Sequence, residues 1–363
     1  MTQLRTVQVL GGGSAGSGAH VRSMASGLAA RGVRVTVCAP AEIDHVYGFA
    51  GAGADFAPVA RRSDPATIAA LRAACAGADV VHAHGLHAAV RASQALGAAR
   101  RARIPLVVTW HTRTHDAGGA RAAVLGLLER RAARSATVVL GTCSELVDRA
   151  RASGARDARL TPVTAPAAPS APAGGGGKLR AELGVVERPL LLAVGALERH
   201  RGYGTLLDAA RAWSGQDPAP LLMIAGEGPA REALRRRITD EELQVRLLGR
   251  RDDVPELLAT ADVAVLPSRW EARSLLAQEA LRLGVPLVAT AVGGVPELVG
   301  DAAELVPYGD SVALSSSVTR LLADPARRAW LSAAGRAQAG TWPTEDETVA
   351  QVLSVYDELT SRT

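Results

Sequence analysis

The sequence predicts an α/β protein made of two Rossmann-like, doubly wound domains. Three observations carry that prediction. Short Val- and Leu-rich runs alternate with helical stretches, a Pro-, Ala- and Gly-rich segment interrupts them near the middle, and the same alternation then begins again. A length of 363 residues accommodates two domains that each bury a core.

From Thr6 the chain reads as a strand (TVQVL), a glycine loop, an amphipathic helix and a second strand (VRVTVCAP). DVVHAH, PLVVTWH and ATVVLG repeat the pattern. These runs are continuously apolar, which places the strands in a parallel sheet covered on both faces. Pro162 to Gly177 (PVTAPAAPSAPAGGGG) favours little regular structure and reads as a linker. Domains are therefore expected at 1–165 and 178–344, with 166–177 between them. PLLLAVG, PLLMIAGEG, QVRLLG, ADVAVLP and VPLVATAVGG, each followed by a helical stretch, build the second domain. Within the closing segment 345–363, Glu345 to Leu359 has apolar residues at helical spacing and acidic residues in the first turn, where the helix dipole favours them.

Hydrophobic residues make up 48% of the chain but aromatics only 3%, so the cores must be built from Ala, Val and Leu. The net charge of +5 is spread along the chain and nearly balanced by acids, which argues against a nucleic-acid partner and suits anionic small substrates. Cys38, Cys75 and Cys143 lie far apart and fit neither a disulfide framework nor a zinc spacing. With no signal-like or membrane-spanning apolar run, a cytoplasmic protein is expected. The Arg-bearing stretch Arg121 to Arg134 (RAAVLGLLERRAAR) reads first as a core-packed helix with a charged face, and leaves open a peripheral contact with the inner face of a membrane and a lipid acceptor.

Gly11, Gly13 and Gly16 match GxGxxG at a strand-to-helix turn, where backbone N–H groups can approach a phosphate. The motif does not name its ligand. A nicotinamide site wants an acid at the end of the next strand, which here ends Cys38, Ala39, Pro40, with Glu42 and Asp44 coming later. In the second half Glu271 follows a strand and Glu279 lies in the next helix. If that helix opens near Ser274 and Leu275, its free N–H groups face the carboxyl end of the sheet, where a diphosphate would sit, with Glu279 placed to accept from ribose hydroxyls. His82 and His84 form HxH at a strand end, a spacing that can share a metal, with no third ligand evident in the sequence.

In this context Glu271 and Glu279 resemble the paired-glutamate motif of glycosyltransferase family 4. DVVHAHGLH, VVTWHTRTH, GEGPAREALRRR, LLGRRDDVPELLATADVAVLPSRWE and VGGVPELV resemble that family's segments in order and spacing, over nearly the whole chain. The resemblance implies a GT-B fold, two Rossmann-like domains facing across a cleft, with the last helix packing back on the first domain. It implies a retaining transferase moving sugar from a UDP- or GDP-type donor to a hydroxyl acceptor, with no cofactor and no metal required. It places Gly16 and Gly18 at the donor phosphate and His111 near the donor sugar. Arg201 falls at the leaving diphosphate, Glu271 at the sugar hydroxyls, Glu279 at the ribose and Arg250 near the base, with His82 and His84 on the acceptor side.

Two departures qualify it. Ala196 stands where the family has a diphosphate-binding Arg, and Arg201 where it has Lys. Glu271, Ala272, Arg273 and Ser274 replace Glu-Gly-Phe-Gly, and Arg273, with Arg199, is expected to supply the charge lost at Ala196. The alternatives are a nucleotide-sugar-binding pseudoenzyme or slow specialised member, an epimerase or phosphorylase-like enzyme on the same fold, and a dehydrogenase.

Overall fold

Every strand pairing among the described residues is parallel. The computed structural model describes residues 3–11, 15–97, 104–113, 120–163 and 176–361. The chain divides into two units, Met1–Pro166 with Pro343–Thr363, and Ala167–Trp342.

The first unit contains β1 (Arg5–Leu10), α1 (Ala15–Ala30), β2 (Arg34–Ala39), α2 (Ala41–Tyr47), β3 (Asp55–Pro58), α3 (Pro65–Cys75), β4 (Val80–His84), α4 (Leu86–Gly97), β5 (Leu106–Trp110), α5 (Ala120–Ser135), β6 (Val138–Gly141), α6 (Ser144–Ala152) and β7 (Ala158–Leu160). The second contains α7 (Gly176–Leu183), β8 (Leu190–Val194), α8 (Tyr203–Trp213), β9 (Leu221–Ala225), α9 (Arg231–Asp240), β10 (Val245–Gly249), α10 (Val254–Thr260), β11 (Val263–Leu266), α11 (Leu275–Leu283), β12 (Leu287–Thr290), α12 (Val295–Val299), β13 (Glu304–Val306), α13 (Ser311–Ala323) and α14 (Pro325–Ala339). The chain then returns to the first unit as α15 (Glu345–Thr360).

The first sheet runs β3-β2-β1-β4-β5-β6-β7, so the strand order reverses between β1 and β4. β4 and β5 are buried along their whole length, as continuously apolar strands between helical layers require. α15 begins with a reciprocal cap: the Glu347 N–H donates to Thr344 Oγ1 (3.1 Å), and the Thr344 N–H donates to the Glu347 carboxylate (2.7 Å). Its Val349, Val352, Val355 and Tyr356 enter the core with Val21, Met24 and Leu28 of α1. Arg159 of β7 pairs with Glu358 (2.7 Å).

The second sheet runs β10-β9-β8-β11-β12-β13 and reverses between β8 and β11. The period of two along β8 divides its side chains between the faces: Leu190 and Leu192 join one core with α11, and Leu191 and Ala193 join the other with α8. Most of the expected linker 166–177 lies outside the described residues. Its last two are a correction, because α7 already begins at Gly176. A first helical turn carries N–H groups that need no intrahelical partner, so glycine is tolerated there.

Candidate functional site

In an open parallel sheet, ligands bind beyond the carboxyl ends of the strands where the order reverses. In the second unit that point lies between β8 and β11, and the loops leaving these two strands carry Arg201 and Glu271. Arg201 closes a 3-10 turn, Arg199–Arg201, immediately before α8, and the loops are tied by the Arg269 N–H donating to the His200 carbonyl (2.9 Å). Arg201 Nη1 donates to Glu271 Oε1, which also accepts from Ser268 Oγ (2.9 Å). Their side chains are only 26% and 13% exposed, so this is a half-buried, preoriented pair. Arg201 Nε is buried with no hydrogen-bond partner among the described residues. A cationic donor left unsatisfied at a ligand-binding edge is suited to an incoming anion.

Three residues beyond Glu271, Ser274 is the N-cap of α11 and its hydroxyl accepts from the Ala277 N–H (3.4 Å). Leu275 is the first helical residue, and the first-turn N–H groups give this end partial positive charge. Glu279 lies one turn further along, half-buried, and desolvation raises its pKa above the ordinary glutamate value. Arg250 follows β10 and is exposed, 3.7 Å from Asp252. The expectation for Arg273 meets a competing contact: its guanidinium lies 5.9 Å from the centre of the Trp342 ring, which Arg282 also approaches at 5.7 Å. Ala196 is half-buried in the loop after β8.

In the first unit the order reverses between β1 and β4, and four histidines gather there from α1, β4 and the end of β5. His84 Nδ1 lies 3.4 Å from His111 Nε2. His20, which the sequence did not single out, has its ring 5.6 Å from His84 and 5.2 Å from His111. Burial lowers His20 to about 4, and burial with the neighbouring His20 lowers His82 to about 3. His84 and His111 are held well below the ordinary histidine value by burial and then by the surrounding imidazoles. All four rings are neutral near pH 7.

His82 corrects the acceptor-side expectation. It is fully buried, and both ring nitrogens are occupied, Nδ1 by the Tyr356 hydroxyl and Nε2 by Thr109 Oγ1, each at 2.6 Å. It supports the site and presents nothing to a ligand. Gln8 Nε2 donates to the Tyr356 hydroxyl (3.1 Å), which leaves Gln8 Oε1 to accept from His84 Nε2 (2.9 Å). The Tyr356 hydroxyl thus joins His82 to Gln8 and, through Gln8, to His84. Tyr356→Phe is expected to lower unfolding free energy by about 1–3 kcal/mol, because it removes the hydroxyl partner of two fully buried polar side chains, Gln8 and His82. Urea unfolding measures this, and a variant as stable as the parent would show that the hydroxyl bonds nothing of consequence.

Two family models match, "Glycosyl transferase 4-like domain" over residues 15–166 and "Glycosyl transferases group 1" over residues 177–338. A D-inositol 3-phosphate glycosyltransferase of Xylanimonas cellulosilytica is 31% identical over 78% of this chain and 73% of its own. The chain belongs to glycosyltransferase family 4. A GDP-mannose-dependent monoacylated alpha-(1-6)-phosphatidylinositol monomannoside mannosyltransferase of Corynebacterium glutamicum is 34% identical over 48% of this chain and 49% of its own. The chain spans about half, or less, of the first such relatives it matches. Among solved structures, Anabaena HepE in complex with UDP and glucose superposes with a TM-score of 0.84 at 19% identity, covering 98% of this chain and all of that one. That likeness, with the two parallel sheets, shows the GT-B fold.

Within this family 4 member the glycine loop divides. Gly13 lies outside the described residues, and Gly16 is half-buried in the first turn of α1. Gly18 is buried, and a Cβ there would lie 2.3 Å from the Tyr47 ring. Packing of α2 on α1 accounts for glycine at this position, whereas a phosphate contact was expected. Arg91, also missed in the sequence, is 1% exposed and donates to the carbonyls of His87, Ala60 and Gly11, fixing the end of β1. An arginine among alanines on a helix gave no sign that its partners were distant carbonyls.

Proposed function

We propose that this chain transfers a glycosyl group from a UDP- or GDP-sugar to a hydroxyl acceptor with retention of anomeric configuration. The observation that carries the reading is the half-buried Arg201–Glu271 pair at the switch point of the second sheet, with an unsatisfied Arg201 N–H. Arg201 and the N-terminus of α11 neutralise the diphosphate as the bond from the anomeric carbon to its oxygen breaks. The acceptor oxygen bonds to the anomeric carbon, and its proton passes to the departing phosphate. Glu271 holds Arg201 in place and balances positive charge growing on the sugar, and Glu279 accepts from the ribose. His111 sits near the donor sugar as a neutral hydrogen-bonding group.

No described helix is long and apolar enough to cross a membrane. On α5, Val124 (55% exposed) and Leu127 (62%) share a stripe with exposed Arg131 and Arg134, which favours an acceptor presented at an anionic bilayer. Ala196 favours a second reading, donor binding without turnover.

Thermal unfolding in the presence of UDP, GDP, ADP, TDP, their sugar conjugates and NAD separates these readings. One nucleoside diphosphate and its sugar are expected to stabilise the chain, by about 2.7 kcal/mol at a hundredfold excess over Kd, and the anomeric configuration of the product is then read by NMR. Stabilisation with no nucleotide release in the presence of any acceptor would select the second reading. A response to NAD alone, or to nothing, would refute both.

A further inference from the structure

The hydrogen bonds among the buried histidines of the first unit have a direction as well as a place. A neutral imidazole has one donor nitrogen and one acceptor, so the partner of one nitrogen fixes the role of the other. The Tyr356 hydroxyl accepts from Gln8 Nε2 (3.1 Å), which also donates to Thr6 Oγ1 (3.4 Å). The phenolic proton is left for His82 Nδ1 (2.6 Å), and the His82 Nε2–H donates to Thr109 Oγ1 (2.6 Å). With its amide nitrogen held in this way, Gln8 turns Oε1 to His84 and accepts from Nε2–H (2.9 Å). His84 Nδ1 is then an acceptor, and the group beside it, 3.4 Å away, is His111 Nε2. His111 Nε2 is thereby the donor of its ring and Nδ1 the acceptor. Gln8, His82 and Tyr356 are each 0% exposed, so water does not compete for these bonds, and buried members of one network reinforce one another.

We propose that Tyr356 of α15 and Gln8 of β1 are positioning residues for His111: acting through His84, they hold it as the Nε2–H tautomer and present Nδ1 as an acceptor to one hydroxyl of the donor sugar. His111 is placed for this. It is only partly buried, whereas His20, His82 and His84 are buried, and its Nδ1 has no hydrogen-bond partner among the described residues. His20 packs edge-on against His84 and His111 and takes no hydrogen bond from either. Burial keeps the rings neutral, as a defined tautomer requires. A fixed acceptor demands a hydroxyl opposite it and discriminates against a sugar that cannot donate there. That a donor sugar meets Nδ1 rests on the transferase reading, whereas the relay from Tyr356 to His111 lies wholly within the first unit and does not.

The test reads the tautomers by long-range ¹H–¹⁵N correlation NMR of the full chain labelled with ¹⁵N-histidine, with signals assigned from His84→Gln and His111→Gln. Both rings are expected as Nε2–H tautomers. In Gln8→Met, His84 Nε2 loses its acceptor, and His111 is expected to shift to a mixture containing the Nδ1–H form; Tyr356→Phe is expected to shift it the same way and less. Circular dichroism identifies the folded variants, and one of the two suffices. A merely structural role for Tyr356 and Gln8 moves stability and leaves the tautomer alone. His111 carrying Nδ1–H in the parent chain, or an unchanged His111 in a folded variant of either kind, would overturn the proposal. With the nucleotide sugar selected by the thermal screen, fluorine in place of each sugar hydroxyl in turn keeps an acceptor and removes the donor. Binding is expected to weaken roughly 10-fold at one position, and by less in Gln8→Met. Equal affinity at every position would overturn the contact with the sugar. The tautomer measurement needs no substrate, so failure of the relay and failure of the transferase reading appear in different experiments.

Discussion

Glu271→Gln is expected to lower turnover by on the order of a hundredfold and to destabilise the chain by about 1–3 kcal/mol. Both effects follow from one geometry. Glu271 Oε1 accepts from Arg201 and from Ser268, and the two charged side chains are largely shielded from water. Removing the negative charge leaves the guanidinium half-buried without its counterion and free to leave the diphosphate position. The amide keeps the shape of the carboxylate, so packing loss does not contribute. If Glu271 acts mainly in the transition state, kcat and kcat/KM fall together; a rise in KM alone would move its role to donor binding. Turnover within a few fold of the parent would remove Glu271 from the chemistry, whatever happens to stability.

Gly293→Ala is expected to be the more damaging change to the fold, by about 2–4 kcal/mol, with loss of activity in whatever remains folded. Gly293 adopts φ +55°, and a Cβ there would stand 2.1 Å from the Glu271 carbonyl oxygen and 2.8 Å from Trp270 Nε1. The neighbouring Gly294 N–H donates to that same carbonyl at 2.9 Å. The loop after β12 therefore grips the backbone of the residue that holds Arg201, and a methyl group pushes it away. Gly309→Ala isolates the conformational part, since Gly309 has φ +82° and open space around its Cα, and about 1 kcal/mol is expected there. Equal losses in melting temperature for the two variants would mean that the contact with Glu271 is relaxed at little cost.

Much of this was legible in the sequence because it is local. Uninterrupted runs such as LLLAV and VVHAH reported parallel strands, Ser274 reported a helix start, and the acidic turn at Glu345 reported the last helix. The family likeness rested on segments of this kind. What escaped was nonlocal. Gln8 and Tyr356 are 348 positions apart, and Arg201 and Glu271 are 70 apart. Neither pair follows from periodicity. His20 could have been suspected only after placing α1 beside β4, since a histidine in a helix has many bland explanations. Gly18 misled for the opposite reason, because a glycine required by an aromatic neighbour is indistinguishable in sequence from one required by a phosphate.

The return of α15 to the first unit fixes an order of events during synthesis. Val349, Val352, Val355 and Tyr356 complete a core whose preceding member along the chain is Leu140, yet the ribosome adds them only after all of the second unit has been made. The second sheet can close as soon as its own residues have emerged. The first must wait with a hydrophobic face of α1 uncovered and with Gln8 and His82 lacking the hydroxyl that joins them. Synthesis of α15 is thus the step that seals the histidine site, and a chain stopped short of residue 343 carries every residue of the second unit but an unfinished first one.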